Sequence, residues 1–322
     1  MILILSTPAD HDTQTVIDWL YDRNASFFRL NDEDIMTGDT SFNLNPKNIQ
    51  NAYIQKGNQK IFFKDIKVVW FRKFGFFQSY KDTFGKNSDI TKYIYSEFAV
   101  LRTNILSLLR DKILLNNRLK MLTKLEIIQL ANDCGLNTPN SIITSQKEIL
   151  IPFFLQNNSS LITKSLGDGE HIVFENVKYP CFTQHITDLN DITEKFGPSL
   201  FQSHIVKKYE LRIFFLDGEF YTMVIFSQNN EKTKIDFRNY DFDFPNRKGP
   251  YKLPNSIESK LSILMNKIGL NTGSIDMIKG LDDNYYFLEI NPSGQFGMTG
   301  LPCNYNLHEK IANFLIKKLN SL

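Results

Sequence analysis

Residues 287–294, Phe-Leu-Glu-Ile-Asn-Pro-Ser-Gly, form an apolar strand that carries a carboxylate and an amide two positions apart. Side chains alternate along a strand, so Glu289 and Asn291 leave the same face. Two oxygen donors on such a strand are costly to hold away from water unless something binds them. Just upstream, IDMI (275–278) and YYFLEIN (285–291) flank the turn Asp282-Asp283-Asn284. A turn centred between Asp282 and Asp283 sets Asp276 opposite Glu289 in an antiparallel ladder. Carboxylates so opposed repel unless a cation lies between them. Asp276, Glu289 and Asn291 are hard oxygen donors with no His or Cys among them, a set that suits Mg²⁺ or Mn²⁺. Mg²⁺ commonly shares its shell with phosphate oxygens. The same spacing also fits a solvated sheet face.

A metal clamp for phosphates calls for separate cations and a glycine loop. Lys164 ends the strand LITKS just before Leu166-Gly167-Asp168-Gly169, whose backbone N–H groups can close over phosphates. Lys124 stands at the start of a helix. The chain has no GxxxxGK[ST] pattern, and its loop lacks the third glycine of a dinucleotide fingerprint. Surface solvation is the alternative role for each lysine. In FQSHIVKKYELRIFF (201–215), Gln202, Glu210 and Arg212 surround a turn into a strand, and Glu210 and Arg212 share a face. The pair reads either as a plain ion pair or as a ribose ligand, Glu210, beside an anchor for a substrate carboxylate, Arg212. Arg238 is a second anchor of that kind, suited to the charge of a phosphorylated intermediate.

Bulk properties exclude several classes. The chain has 322 residues, 42% hydrophobic and 22% charged, with a formal net charge of +2. Those values describe a globular protein of two or three domains, with lysines dispersed among acids, so nucleic acid is not the expected partner. The opening MILILSTPADHD lacks a basic n-region, and no later stretch reaches the length of a membrane span, so a bacterial cytoplasm is the expected location and no membrane partner is expected. Cys134, Cys181 and Cys303 lie far apart with no CxxC spacing and read as buried free thiols. A homodimer is compatible with the sequence, as are other states.

Along the chain, the strand Ile2 to Leu5 and a helix containing Val16, Ile17 and Leu20 make a β-α start. An edge hairpin is expected between Thr37 and Gln59, then the strand KVVWFRKF (67–74). Ile94, Phe98, Leu101, Ile105 and Leu108 mark a long amphipathic helix covering the sheet. A new unit begins near Asn116, with a helix from about Lys120 to Asp133 that stops at Cys134-Gly135. Strands dominate from Ser199, and Asp217-Gly218 is the strongest hairpin signal. A helix with Leu261 and Leu264 precedes the metal hairpin, and one with Leu307, Ile311 and Phe314 closes the chain.

The order of these parts resembles the ATP-grasp superfamily, with EINPSGQF (289–296) as the most specific element. The resemblance implies an α+β ATP-grasp fold: an N-terminal pre-grasp α/β domain at 1–115, a central lobe at 116–198, and a C-terminal lobe with an antiparallel sheet and the metal site at 199–322. It implies that ATP and two Mg²⁺ ions bind between the lobes and that a carboxylate is activated as an acyl phosphate, with ADP and phosphate released. By this resemblance Lys124 and Lys164 contact phosphate and adenine, Gly167 and Gly169 belong to the phosphate loop, and Gln202 to Glu210 form the hinge, Glu210 holding the ribose. Asp276, Glu289 and Asn291 carry the metals, while Arg212 and Arg238 face the acyl-phosphate oxygens. The hinge departs from the common pattern in having Ser203-His204 where an acid is often seen.

Within the superfamily, VWFRK (69–73), TKLEIIQLANDCGLNTPNSIIT (123–144), FQSHIVKKYELR (201–212) and IDFRNYD (235–241) look most similar to the ligases that crosslink ribosomal precursor peptides into graspetides. These include the microviridin ligases and the grasp-with-spasm maturases. Implied are a precursor peptide of leader plus core as partner, and side-chain esters or amides joining Asp or Glu to Ser, Thr or Lys. Two other readings stay open: a ligase adding an amino acid or amine to a peptide or protein carboxylate, and a nucleotide-binding scaffold without turnover.

Overall fold

The computed structural model describes residues 1–75, 89–116, 122–167, 171–174, 177–180 and 182–321. Asp168, Gly169 and Cys181 therefore lie outside the described residues. The chain divides into two compact units, 1–119 with 292–300 and 305–322, and 120–291 with 301–304.

The first unit is built on a parallel sheet. Ile2–Ser6 is flanked by Phe27–Asn31 on one side and by Val68–Phe71 on the other, with Ile113–Leu115 beyond. All five residues of Ile2–Ser6 are buried, as a parallel strand covered on both faces requires. Leu3 and Leu5 join a core with Phe28, Leu30, Val69, Ile105 and Leu109, so the long helix Asp89–Leu108 covers the sheet as its periodicity predicts. A small antiparallel sheet, Thr40–Asn43, Tyr53–Lys56 and Gln59–Phe62, adds Ile54 and Ile61 to that core. The expected edge hairpin turns at Gly57, which takes a left-handed φ of 56°. The closing helix Leu307–Asn320 buries Leu307, Ile311, Ala312, Phe314 and Leu315 and packs on helix His11–Asp22. Although the sequence reading groups this helix with the C-terminal lobe, its apolar face is covered in the first unit, and Arg23 pairs there with Glu309 at 2.7 Å.

The second unit holds two antiparallel sheets. One has the order Gln184–Ile186, Leu161–Lys164, Lys195–Ser203, Ser141–Gln146, with helix Lys147–Gln156 packing Leu150 and Phe154 against Leu161 and Phe201. The other runs Arg247–Tyr251, Glu219–Phe226, Lys207–Leu216, Thr272–Gly280, Tyr285–Asn291. Its hairpin at Asp217-Gly218 is the two-residue turn expected, with φ of 46° and 98° at the two positions. Leu211, Ile213 and Phe215 turn to a core shared with Leu261, Leu264 and Met265 of helix Asn255–Ile268. Strand alternation then sends Glu210 and Arg212 to the opposite face. No helix among the described residues is long and apolar enough to cross a membrane.

Helix Lys124–Asp133 starts one turn later than the sequence suggests, because Thr123 caps it. Its hydroxyl accepts from the Glu126 amide at 3.3 Å, while the Glu126 carboxylate accepts from the Thr123 amide at 2.7 Å. Thr123→Ala removes one arm of this reciprocal cap and is expected to lower unfolding free energy by about 1 kcal/mol in urea titration. An unchanged denaturation midpoint would show that the cap contributes nothing measurable.

Candidate active site

The hairpin of Thr272–Gly280 and Tyr285–Asn291 reaches its expected pairing by a different route. The Gly280 amide donates to the Asn284 carbonyl at 2.9 Å, and Asp283 takes a left-handed φ of 64°, so the turn is centred on Asp282. That centre by itself would leave Asp276 opposite Leu288. The ladder pairs Met277 with Phe287 and then Asp276 with Glu289, so Leu288 is an extra, unpaired residue. This bulge moves Glu289 into register with Asp276, and Leu288 and Glu289 both line the same cleft.

Arg212 on the next strand is the register partner of Asp276, so cation, carboxylate and carboxylate lie across three neighbouring strands. An Arg212 Nη donates to Asp276 Oδ2 at 2.5 Å. Lys164 Nζ stands 3.6 Å from Glu289 Oε2. Burial pushes Asp276 above the usual carboxylate range despite Arg212. Burial also pushes Glu289 up, but Lys164, Lys124 and Arg238 outweigh it and hold Glu289 below its ordinary value. Lys164 is pushed down by burial against the pull of Glu289.

The cleft, open to solvent, brings together Lys164, Glu210, Arg238, Asp276 and Glu289 with Ile162, Ile205, Met277 and Leu288. Arg238 makes a fork on Asp236, with Nε to Oδ1 at 2.9 Å and Nη to Oδ2 at 2.7 Å. Asp236 also accepts from the Thr183 amide and hydroxyl. Burial alone would raise the Asp236 acid, but the Arg238 bonds prevail and bring it to about 2. Glu210 accepts from Lys207 at 2.8 Å and from Ser227 at 2.6 Å, and burial pushes its acid up against both. Lys207, Ser227, Asp236 and Thr183 escaped sequence reasoning. The Asp236-x-Arg238 spacing was the available signal for one of them, while the others meet their partners only through the fold.

The remaining candidates stand differently. Lys124 Nζ donates to the carbonyls of Ser165 at 3.3 Å and Gly167 at 2.9 Å, so it grips the glycine loop. Gln202 is fully buried, with its amide nitrogen on the Ser141 hydroxyl at 2.8 Å, whereas Ser203, His204 and Ile205 line the cleft. Asn291 is exposed at the end of its strand, in register with Ser274. Among the described residues no three His, Cys, Asp or Glu side chains group to hold a metal. The donor set nevertheless fits a hard divalent cation. Asp276 Oδ1 is buried and makes no hydrogen bond, Glu289 faces it across the ladder, and Mg²⁺ needs only one or two carboxylates when phosphates complete its shell.

His204 lines the cleft and lies against His185, with ring centroids 4.2 Å apart and the planes tilted by 48°. His185 Nε2 and His204 Nδ1 both meet the Ser160 hydroxyl, at 2.9 and 3.2 Å. Burial, then His185 and Lys207, bring His204 down to about 4, so the ring is neutral at physiological pH.

No protein-family model matches the chain, and no curated protein sequence matches it. Solved structures do. The macrocyclase MdnC of Microcystis aeruginosa MRC, bound to its precursor peptide MdnA, aligns over 98% of this chain and 99% of its own with 27% identity and a TM-score of 0.82. An ATP-grasp ligase associated with a ribosomal peptide of Chryseobacterium gregarium, in complex with ADP and a leader and core peptide, aligns over 98% and 96% with 24% identity and a TM-score of 0.84. The ATP-grasp ligase PsnB, complexed with a minimal precursor variant, Mg and ADP, aligns over 99% and 98% with 17% identity and a TM-score of 0.78. The chain has the ATP-grasp ligase fold, as its motifs led one to expect.

The depressed His204 makes a pH prediction whose sign is definite. Against an ordinary value of 6.5, a ring at about 4 means that the unfolded chain takes up the proton first on acidification. The stability it contributes is fully present above about pH 6.5 and declines as pH falls toward 4. His204→Gln should flatten that part of a stability-against-pH curve measured by urea denaturation. A curve as steep as wild type would place the titration elsewhere.

Proposed function

We propose that the chain is an ATP-dependent peptide ligase. It activates Asp or Glu side chains of a ribosomally made precursor peptide as acyl phosphates and closes them onto Ser, Thr or Lys side chains as esters or amides, releasing ADP and phosphate. In this reading residues 1–115 are the pre-grasp domain, and 116–198 and 199–322 supply the two lobes that hold nucleotide. A bacterial cytoplasm, where ATP and a newly made peptide are both at hand, is the compartment proposed.

The observation that carries this reading is one cleft in which Lys164, Arg238, Asp276 and Glu289 converge, with Arg212 on the neighbouring strand. A carboxylate is a poor electrophile, and its phosphorylation provides the leaving group, so the chain's task is positioning and charge neutralisation. Asp276, Glu289 and Asn291 would hold Mg²⁺, which when bound neutralises phosphate charge. Lys164 would meet the transferred phosphoryl group, and Lys124 would steady the loop that includes Gly167 and, beyond the described residues, Gly169. Ile162, Ile205 and Leu288 would supply an apolar floor suited to a base. Glu210 would reach a ribose only by loosening from Lys207 or Ser227. Arg238 and Arg212 carry the forks that match acyl-phosphate oxygens.

Glu289→Gln with Asn291→Ala is expected to abolish turnover while the fold persists. The measurement is intact mass of Asp/Glu- and Thr/Lys-bearing peptides encoded beside the gene, after co-expression with wild type or with the double variant. Loss of one or more waters with wild type alone supports crosslinking, whereas a gain of mass would mean residue addition. Water loss with the double variant would sink the metal assignment. Separately, Lys164→Met should weaken nucleotide binding about tenfold or more in titration calorimetry. An unchanged affinity would return Lys164 to an ordinary structural ion pair.

A further inference from the structure

We propose that Arg72 is a positioning residue whose task is to fix the loop leaving the metal strand. The inference rests on the assignment of Asn291 to the metal above. Arg72 follows the strand Val68–Phe71 and is 3% exposed. One Nη donates to the carbonyls of Ser293 at 2.5 Å and Gly294 at 2.9 Å, the first two residues after Pro292. Its Nε donates to Asp10 at 3.0 Å and its other Nη to Asp12 at 3.2 Å. The guanidinium carbon lies 5.1 Å from the centroid of the Phe296 ring, which is itself 2% exposed.

Other side chains hold the same short segment. Asn116 donates from Nδ2 to the Phe71 carbonyl at 2.7 Å and to the Ser293 hydroxyl at 3.1 Å, tying the strand end to the loop a second time. Asp12 is held between Arg72 and His308 Nε2, the latter at 2.9 Å. A Cβ on Gly297 would come within 2.3 Å of Asp12 Oδ1, so any larger residue there must displace that carboxylate. Carbonyls buried in this way need donors, and a planar fork reaches two of them while two carboxylates balance its charge. Pro292 fixes φ at the first step out of Asn291. With Ser293 and Gly294 held by Arg72, the chain is anchored within two or three residues of Asn291. A lysine at this position keeps the charge but cannot span both carbonyls and both carboxylates.

The test is Mn²⁺ binding in the presence of ADP, followed by electron paramagnetic resonance, for wild type and Arg72→Lys, with hydrogen exchange of residues 292–300 and thermal unfolding alongside. The expected result is a loss of Mn²⁺ affinity of about tenfold or more with faster exchange in that segment and little change in melting temperature, as for other residues that orient metal ligands. Equal affinity and equal exchange in Arg72→Lys would overturn the inference while leaving the assignment of Asn291 standing. Wild type that binds no Mn²⁺ with ADP would overturn that assignment and this inference with it. Should Arg72→Lys fail to fold, Gly297→Ala disturbs the same contact from the loop side with Arg72 intact, and the same two outcomes decide.

Discussion

Two carboxylates on one rung of a sheet are the constraint on which the site depends. Asp276 and Glu289 are register partners, both largely buried. Opposed carboxylates about 5 Å apart repel by roughly 3 kcal/mol at the effective dielectric of a protein surface. Arg212 on one side and Lys164 on the other offset that repulsion, so the pair persists only where a guanidinium and an ammonium can both reach it. The strand order of the five-stranded sheet follows from the same need. Lys207–Leu216 lies beside Thr272–Gly280, which puts Arg212 on the rung, and Lys164 comes from the end of a strand in the other sheet of the unit.

That rung cannot slip. The reverse face of the sheet is sealed by Leu211, Ile213, Met277 and Phe287 against the helix Asn255–Ile268, and a one-residue shift would exchange those side chains for Arg212 and Asp276. Leu288 reconciles this sealed face with the turn. The turn at Asp282 and the core both fix the strand near Met277 and Phe287, and the extra residue is absorbed before Glu289. A bulge is thus the local means by which one strand serves a packed core and a charged cleft together.

Much of this was legible in the sequence because the signals were local. The Asp217-Gly218 turn, the closing helix and the alternation of Glu289 and Asn291 each declare themselves within a few residues. The pairing of Asp276 with Glu289 was also anticipated, though from a turn centre one half-step away, and the bulge that corrects it has no local signature. Gln202 shows the opposite failure. It sits in a central strand between Ser141 and Ile162, fully buried with its amide spent on the Ser141 hydroxyl, while Ser203, His204 and Ile205 line the cleft. Lys207, Asp236 and Arg72 find their partners across loops or distant strands, and spacing carries no record of such contacts.

The cleft is balanced pair by pair. Lys164 with Glu289, Arg212 with Asp276, Arg238 with Asp236 and Lys207 with Glu210 set four cations against four carboxylates. Such an arrangement gives a polyanion little net attraction, since each cation is already occupied. A divalent cation taken by Asp276 and Glu289, as proposed above, would compete directly with Arg212 and Lys164 for the same oxygens. Released in that way, those two side chains would be donors for the phosphoryl and acyl oxygens of the proposed reaction. Asp236 is held at about 2, so protonation at physiological pH does not break its pair with Arg238. Lys164 and Arg212 would thus serve either as partners of these carboxylates or, where a metal displaces them, as donors to a bound anion.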